Sequence, residues 1–69
     1  MEEFELNDYE FIELNKLLKI TQLVGSGREA KQCIDEGMVQ VNGQPERQRR
    51  KKLRKGDVVS FEGHQISIT

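Results

Sequence analysis

The apolar positions change period part-way along the chain. Leu14, Leu17 and Leu18, with Phe11 a turn earlier, recur at three- and four-residue steps and predict a helix over Glu13–Ile20. Lys16 and Lys19 fall on its other faces. The connector TQLVGSG follows, and the tetrapeptide SGRE (Ser26–Glu29) has the form of a capping box, in which the serine accepts from a free backbone N–H and the glutamate reaches back. The helix it starts, GREAKQCIDE, stops at Gly37. Projected at about 100° per residue, Ala30, Cys33 and Ile34 share an apolar face that should pack on the sheet, while Arg28, Lys31, Gln32 and Asp35 point the other way. From Met38 onward the period is two. MVQV alternates and runs into Asn42–Gly43, a strong hairpin-turn signal. DVVSFEGHQISIT reads as two strands joined at EGHQ, with Val59, Phe61, Ile66 and Ile68 directed at the core and His64 in the turn. Lys55–Asp57 is a further turn, and Glu3–Leu6 alternates as a short first strand would.

Helices followed by strands make an α+β plan: two short helices, arranged like a helix-turn-helix, packed on a small antiparallel sheet. Sixty-nine residues suffice for one domain, 1–69, with an acidic segment 1–13 ahead of the helices. A chain of this size buries only about 60% of its unfolded surface, so its stability is marginal and it has little room for an enclosed active site. No apolar run approaches the roughly 20 residues of a membrane helix. The acidic opening MEEFELNDYEF is unlike a signal or transit peptide, so a cytoplasmic protein is expected. Cys33 is the sole cysteine, which excludes an intrachain disulfide and a cysteine-based metal cluster. No catalytic constellation, cofactor motif or metal site is visible, and a non-enzymatic monomer is expected. Cys33 and Ser26 read as a core residue and a helix cap rather than as nucleophiles. Phe4, Tyr9 and Phe11 read as core residues rather than as base-stacking platforms.

Charge changes the picture more than composition does. The chain is formally −1 overall, with 11 Lys and Arg against 12 Asp and Glu. Residues 1–13 hold six of the acids and no base, which leaves 14–69 with 11 bases against six acids, a balance of +5. Seven of the nine residues Arg47–Lys55 (RQRRKKLRK) are basic and none is acidic. Arg47, Arg49, Lys51 and Lys55 share one parity, and Arg50, Lys52 and Arg54 the other, so the run does not fit a half-buried strand; Leu53, its one apolar residue, should pin it to the sheet. A solvated face normally mixes signs, whereas an acid-free run suits a polyanion, whose condensed counterions are released as phosphates are neutralised. An anionic membrane is a poorer fit, because no apolar stripe or lipidation signal accompanies the run. Charge alone does not separate DNA from RNA.

The ordered elements LNKLLK, SGREAKQCI, IDEGMVQVNG and KGDVV carry a resemblance. Together, over roughly Leu14–Phe61, they resemble the RNA-binding domain named after the fourth protein of the small ribosomal subunit, the α-L motif, and in particular its short stand-alone bacterial members of the YbcJ and YaaA kinds. The resemblance implies an RNA surface built from Lys16, Arg28, Lys31 and the Asn42–Gly43 turn. To these the charge reading adds Arg47, Arg49, Arg50, Lys51, Lys52, Arg54 and Lys55. The family often has arginine directly after the helix-starting serine. Gly27 stands there in this chain and Arg28 comes one later, and the dense basic run is placed to replace that contact. Pro45 stands where the family tends to be apolar, so the strand after Asn42–Gly43 should be an edge or irregular. Asp35 should mark the end of the helix patch, and the acidic segment should lie away from it. Structured RNA, such as ribosomal RNA, is the expected partner; the alternative is an adaptor whose basic face docks an acidic protein.

Overall fold

In a computed structural model, which describes residues 1–69, the elements run β1 (Glu2–Phe4), β2 (Ile12–Glu13), α1 (Leu14–Ile20), α2 (Gly27–Asp35), β3 (Gln40–Val41), β4 (Gln44–Pro45), β5 (Lys52–Leu53), β6 (Val58–Phe61) and β7 (His64–Ile68). The alternating C-terminal half forms the antiparallel part of a five-stranded sheet of order β1-β7-β6-β3-β4. β1 adds to it in parallel, with Phe4 opposite Ile68. The two chain ends are thereby laced together: the Leu6 N–H donates to the Thr69 carbonyl at 3.0 Å, and the Thr69 N–H donates to the Phe4 carbonyl at 2.9 Å. β2 and β5 form a separate antiparallel pair.

Turn chemistry sets the hairpins. Asn42 and Gly43 (φ 53° and 85°) and Glu62 and Gly63 (φ 48° and 83°) both supply the two successive positive φ angles of a type I′ turn. His64, expected in the second turn, is instead the first residue of β7, opposite Phe61. Pro45 lies in β4, the outer strand, where its missing N–H leaves no ladder bond unmade.

Val41, Val59, Phe61, Ile66 and Ile68 are buried on one side of the sheet, and with Leu14, Leu17, Leu18, Ala30 and Ile34 of the helices they belong to a single core that buries no polar or charged residue. Cys33 is half-buried at the margin of that core. The apolar face of α2, expected on the sheet, packs chiefly against α1, where Ala30 and Ile34 join the core. Of the three early aromatic residues, Phe4 packs against the core as expected. Tyr9 does not: it is 77% exposed on the loop between β1 and β2. A segment of a few residues bridging two short strands cannot turn every large side chain inward.

Both ends of α2 obey local rules. The Ser26 hydroxyl accepts from the Glu29 N–H at 3.2 Å, and the Glu29 carboxylate reaches back one residue beyond the serine, to the Gly25 N–H, at 2.9 Å. At the other end the Met38 N–H donates to Cys33 O and the Gly37 N–H to Ile34 O, a Schellman closure with Gly37 left-handed at φ 74°.

Candidate nucleic-acid interface

α1 begins without a side-chain cap, since Glu13 at its N-cap makes no such bond. The basic run supplies the missing acceptors from its backbone. The Leu14 N–H donates to Lys51 O and the Asn15 N–H to Arg49 O, each at 3.0 Å. A segment that a hydrophobicity pattern marks as a solvated loop is therefore tied to the first turn of a helix whose Leu14, Leu17 and Leu18 are buried. Leu53 fixes the next stretch. It is fully buried, but it pairs with Ile12 of β2 rather than with the large sheet as expected. The parity argument against a strand fails here because β5 is only two residues long, with Lys52 exposed and Leu53 buried. The Lys51 N–H, donating to Gln48 O at 3.2 Å, closes a turn that presents Arg49 and Arg50.

The other end of the run is set against α2. A Cβ added at Gly37 would lie 3.1 Å from Arg47 Nη2, so the Arg47 guanidinium rests on the helix C-terminus, where its charge suits the helix dipole. Arg49 Nε lies 3.8 Å from Asp35 Oδ1. Asp35, expected as the boundary of the helix patch, is thus the point at which the run meets α2. Lys31 is one turn back on the same side. Both members of the Arg49–Asp35 pair are about half exposed, so the pair contributes little to stability and is easily traded for another anion.

The remaining expected residues are placed as follows. Arg28, Lys31, Arg50, Lys52, Arg54 and Lys55 are exposed and form no ion pair. Lys16 is exposed, with Nζ 3.9 Å from Glu13 Oε1. Lys51 is half-buried beside a small cleft that it lines with Asn42, Gln44, Glu46 and Asp57. The Asn42 side chain is committed to the fold: its Nδ2 donates to Asp57 Oδ1 at 3.0 Å and its Oδ1 accepts from the Val58 N–H at 2.9 Å. Asp57 also accepts from the Arg54 N–H at 2.8 Å, so Asn42 and Asp57 together lock the hairpin to the end of the basic run. Gly43 has open space around its Cα.

Two residues of this surface escape sequence reasoning. Lys19, at the end of α1, brings its ammonium to 3.7 Å from the position a Cβ would take at Gly27, beside the start of α2. Its face on α1 is visible in the helical projection, but its neighbour depends on how the helices cross. Phe11 lies under two cations, with Lys52 Nζ 5.0 Å and Arg54 Cζ 5.6 Å from the ring centroid. The end of the acidic segment consequently does not lie apart from the basic run, although its start, Glu2–Phe4, lies beside β7. The segment's last residues pair with the run, Glu13 standing opposite Lys52.

Comparison with known proteins bears on this arrangement. A family model described as "S4 domain" matches residues 4–69. The chain belongs to the S4 domain family. Among S4-domain relatives, the protein named "Putative RNA-binding protein YbcJ" of Escherichia coli K12 is 40% identical over 68 residues, which cover 99% of this chain and 97% of that one. The "Probable ribosome maturation protein RlbA" of Bacillus subtilis 168 is 43% identical over 56 residues, 81% of this chain and 79% of that one. The solution structure of E. coli YbcJ, described as revealing an αL motif involved in RNA binding, superposes with a TM-score of 0.75 at 39% identity, over all of this chain and 87% of that one. The α-L resemblance read from the sequence is thus shown for both family and fold.

No helix of this S4 domain is long and apolar enough to cross a membrane. Burial pushes the Cys33 thiol pKa up, and the Glu29, Glu62 and Glu36 carboxylates add to the effect. Both effects disfavour the thiolate, which is the nucleophilic form.

Proposed function

We propose that this chain is a non-catalytic RNA-binding module that grips structured RNA through Arg28 and Lys31 of α2 and the basic run Arg47–Lys55. The observation that carries the reading is the acid-free run itself, tied by backbone bonds to α1 and set against α2 by Arg47 and Arg49. Seven exposed cations of this surface, Arg28, Lys31, Arg47, Arg50, Lys52, Arg54 and Lys55, have no carboxylate partner, and such charges gain most from phosphates, each contact releasing condensed counterions. The names of the YbcJ and RlbA relatives support RNA and, for the latter, the ribosome. Structured RNA, of which ribosomal RNA is the leading candidate, is recognised mainly through shape, backbone and 2′-hydroxyl contacts, which a rigid cationic surface supplies. Asn42 serves this site by holding the hairpin and Arg54 in place, and Gly43 by leaving the turn unobstructed. The domain acts as a monomer in the cytoplasm, as one folded unit over 1–69.

Titration of the full chain with a labelled RNA hairpin and with a DNA duplex of equal length tests the reading, preceded by nuclease treatment of the purified protein. Tighter binding of the hairpin is expected, with bound nucleic acid lost on nuclease treatment. Absence of hairpin binding, together with capture of an acidic protein, would replace RNA by a protein partner.

A further inference from the structure

We propose that Phe11, Lys52 and Arg54 form one phosphodiester-binding site, in which the Phe11 ring is the positioning residue. This rests on the RNA-binding reading and extends it to the acidic segment. Ile12 pairs with Leu53 and Glu13 with Lys52, so continuing the antiparallel register by one step brings Phe11 opposite Arg54. Lys52 Nζ and Arg54 Cζ lie 5.0 Å and 5.6 Å from the ring centroid. Phe4 and Ile12 lean on the core from the partly buried layer, but Phe11 is not among the residues that do. The ring is half-buried, with the two cations over it.

The chemistry distinguishes this contact from an ion pair. A carboxylate in the position of the ring would neutralise Lys52 and Arg54; the negative face of a ring attracts both and leaves their charge intact. No acid within 4 Å competes for either side chain. Glu13, directly across from Lys52, is turned to Lys16, and the Asp57 carboxylate accepts from the Arg54 backbone N–H, not from its guanidinium. Two long cationic side chains are thus held side by side without a counter-charge. A phosphodiester meets that need, taking the planar fork of Arg54 and the point charge of Lys52. Because the ring restrains both chains before binding, less rotamer freedom is lost on contact.

Phe11→Leu and Phe11→Trp separate this role from packing. Proton NMR of the free proteins reads the ring directly: the Lys52 and Arg54 side-chain methylenes should be ring-current shifted in the wild type, lose the shift in Phe11→Leu and keep it in Phe11→Trp. Fluorescence titration with an RNA hairpin should show Phe11→Leu about three- to five-fold weaker than wild type and Phe11→Trp at wild-type strength. In a Lys52→Gln/Arg54→Gln background, Phe11→Leu should change nothing further. An unshifted wild-type spectrum overturns the positioning role whatever the RNA does. Equal weakening in both backgrounds overturns it in favour of direct stacking of the ring on a base. Inorganic phosphate moving the Lys52 and Arg54 resonances while the hairpin leaves them in place would make this a free-phosphate site. A wild type with the expected shifts that binds no hairpin overturns the RNA reading, and the phosphodiester assignment with it.

Discussion

Ser26 and Cys33 sit seven residues apart around α2 and are fixed by different forces. The Ser26 hydroxyl satisfies the Glu29 N–H, which would otherwise lack a partner at the helix start. Ser26→Ala should lower stability by roughly 1 kcal/mol, seen as a shifted urea midpoint; an unchanged midpoint would show that the bond contributes nothing. Cys33 is governed by its surroundings: partial burial first, then three carboxylates, all disfavouring the thiolate. Raising the pKa reduces the thiolate fraction at any given pH. Alkylation of native Cys33 near neutral pH should therefore be slower than that of the same residue in urea-unfolded chain, and its pH-rate curve should be displaced upward. A native rate equal to or above the unfolded one would contradict this environment.

The elements differ in how local their causes are. α2 and the two type I′ hairpins each follow from a few adjacent residues: a Ser cap, a Gly stop, Asn-Gly, Glu-Gly. That is why the helix bounds, the Asn42–Gly43 turn and the inward set Val59, Phe61, Ile66 and Ile68 were legible in the sequence. β1 beside β7, and β2 beside β5, join residues that are some 64 and 40 positions apart in the chain, in strands of only two or three residues on the N-terminal side. No local signal announces such pairings, so the second small sheet and the parallel edge were not legible, and neither was the contact between Phe11 and the basic run. The capping of α1 by Arg49 O and Lys51 O was hidden for another reason: a side-chain pattern contains no information about which carbonyl a helix start will meet. Even the legible turns carry strain. Glu62 holds φ at 48°, a region in which asparagine is far more at ease than glutamate. Glu62→Asn should stabilise the fold by up to about 1 kcal/mol in urea unfolding without altering the hairpin; destabilisation would mean that the Glu62 side chain makes a compensating contact.

At the scale of the whole molecule, a chain that is slightly acidic in sum keeps its charges in an ordered arrangement. The basic run was conspicuous in the sequence, as was the exposed face of α2 with Arg28 and Lys31. Their meeting point was misplaced. Asp35 takes Arg49 and links the run to α2 instead of ending the patch. The end of the N-terminal acidic segment is not separate either, because β2 carries Glu13 to Lys52, whereas Glu2 and Glu3 lie on β1 beside β7. The result is a small S4 domain in which a cationic loop is tied by backbone bonds to α1 and set against α2. If helix and loop work as one surface, removing the helix cations must change how strongly RNA binding depends on salt, not merely how tight it is. The decisive measurement is the affinity of wild type and of Arg28→Ala/Lys31→Ala for one RNA hairpin across a series of salt concentrations, with circular dichroism to confirm folding. With about five phosphate contacts, the wild-type slope of log affinity against log salt should be near −4, and the double variant should flatten it by about two contacts. A wild-type slope near zero, or an unchanged slope in a folded double variant, would contradict the account.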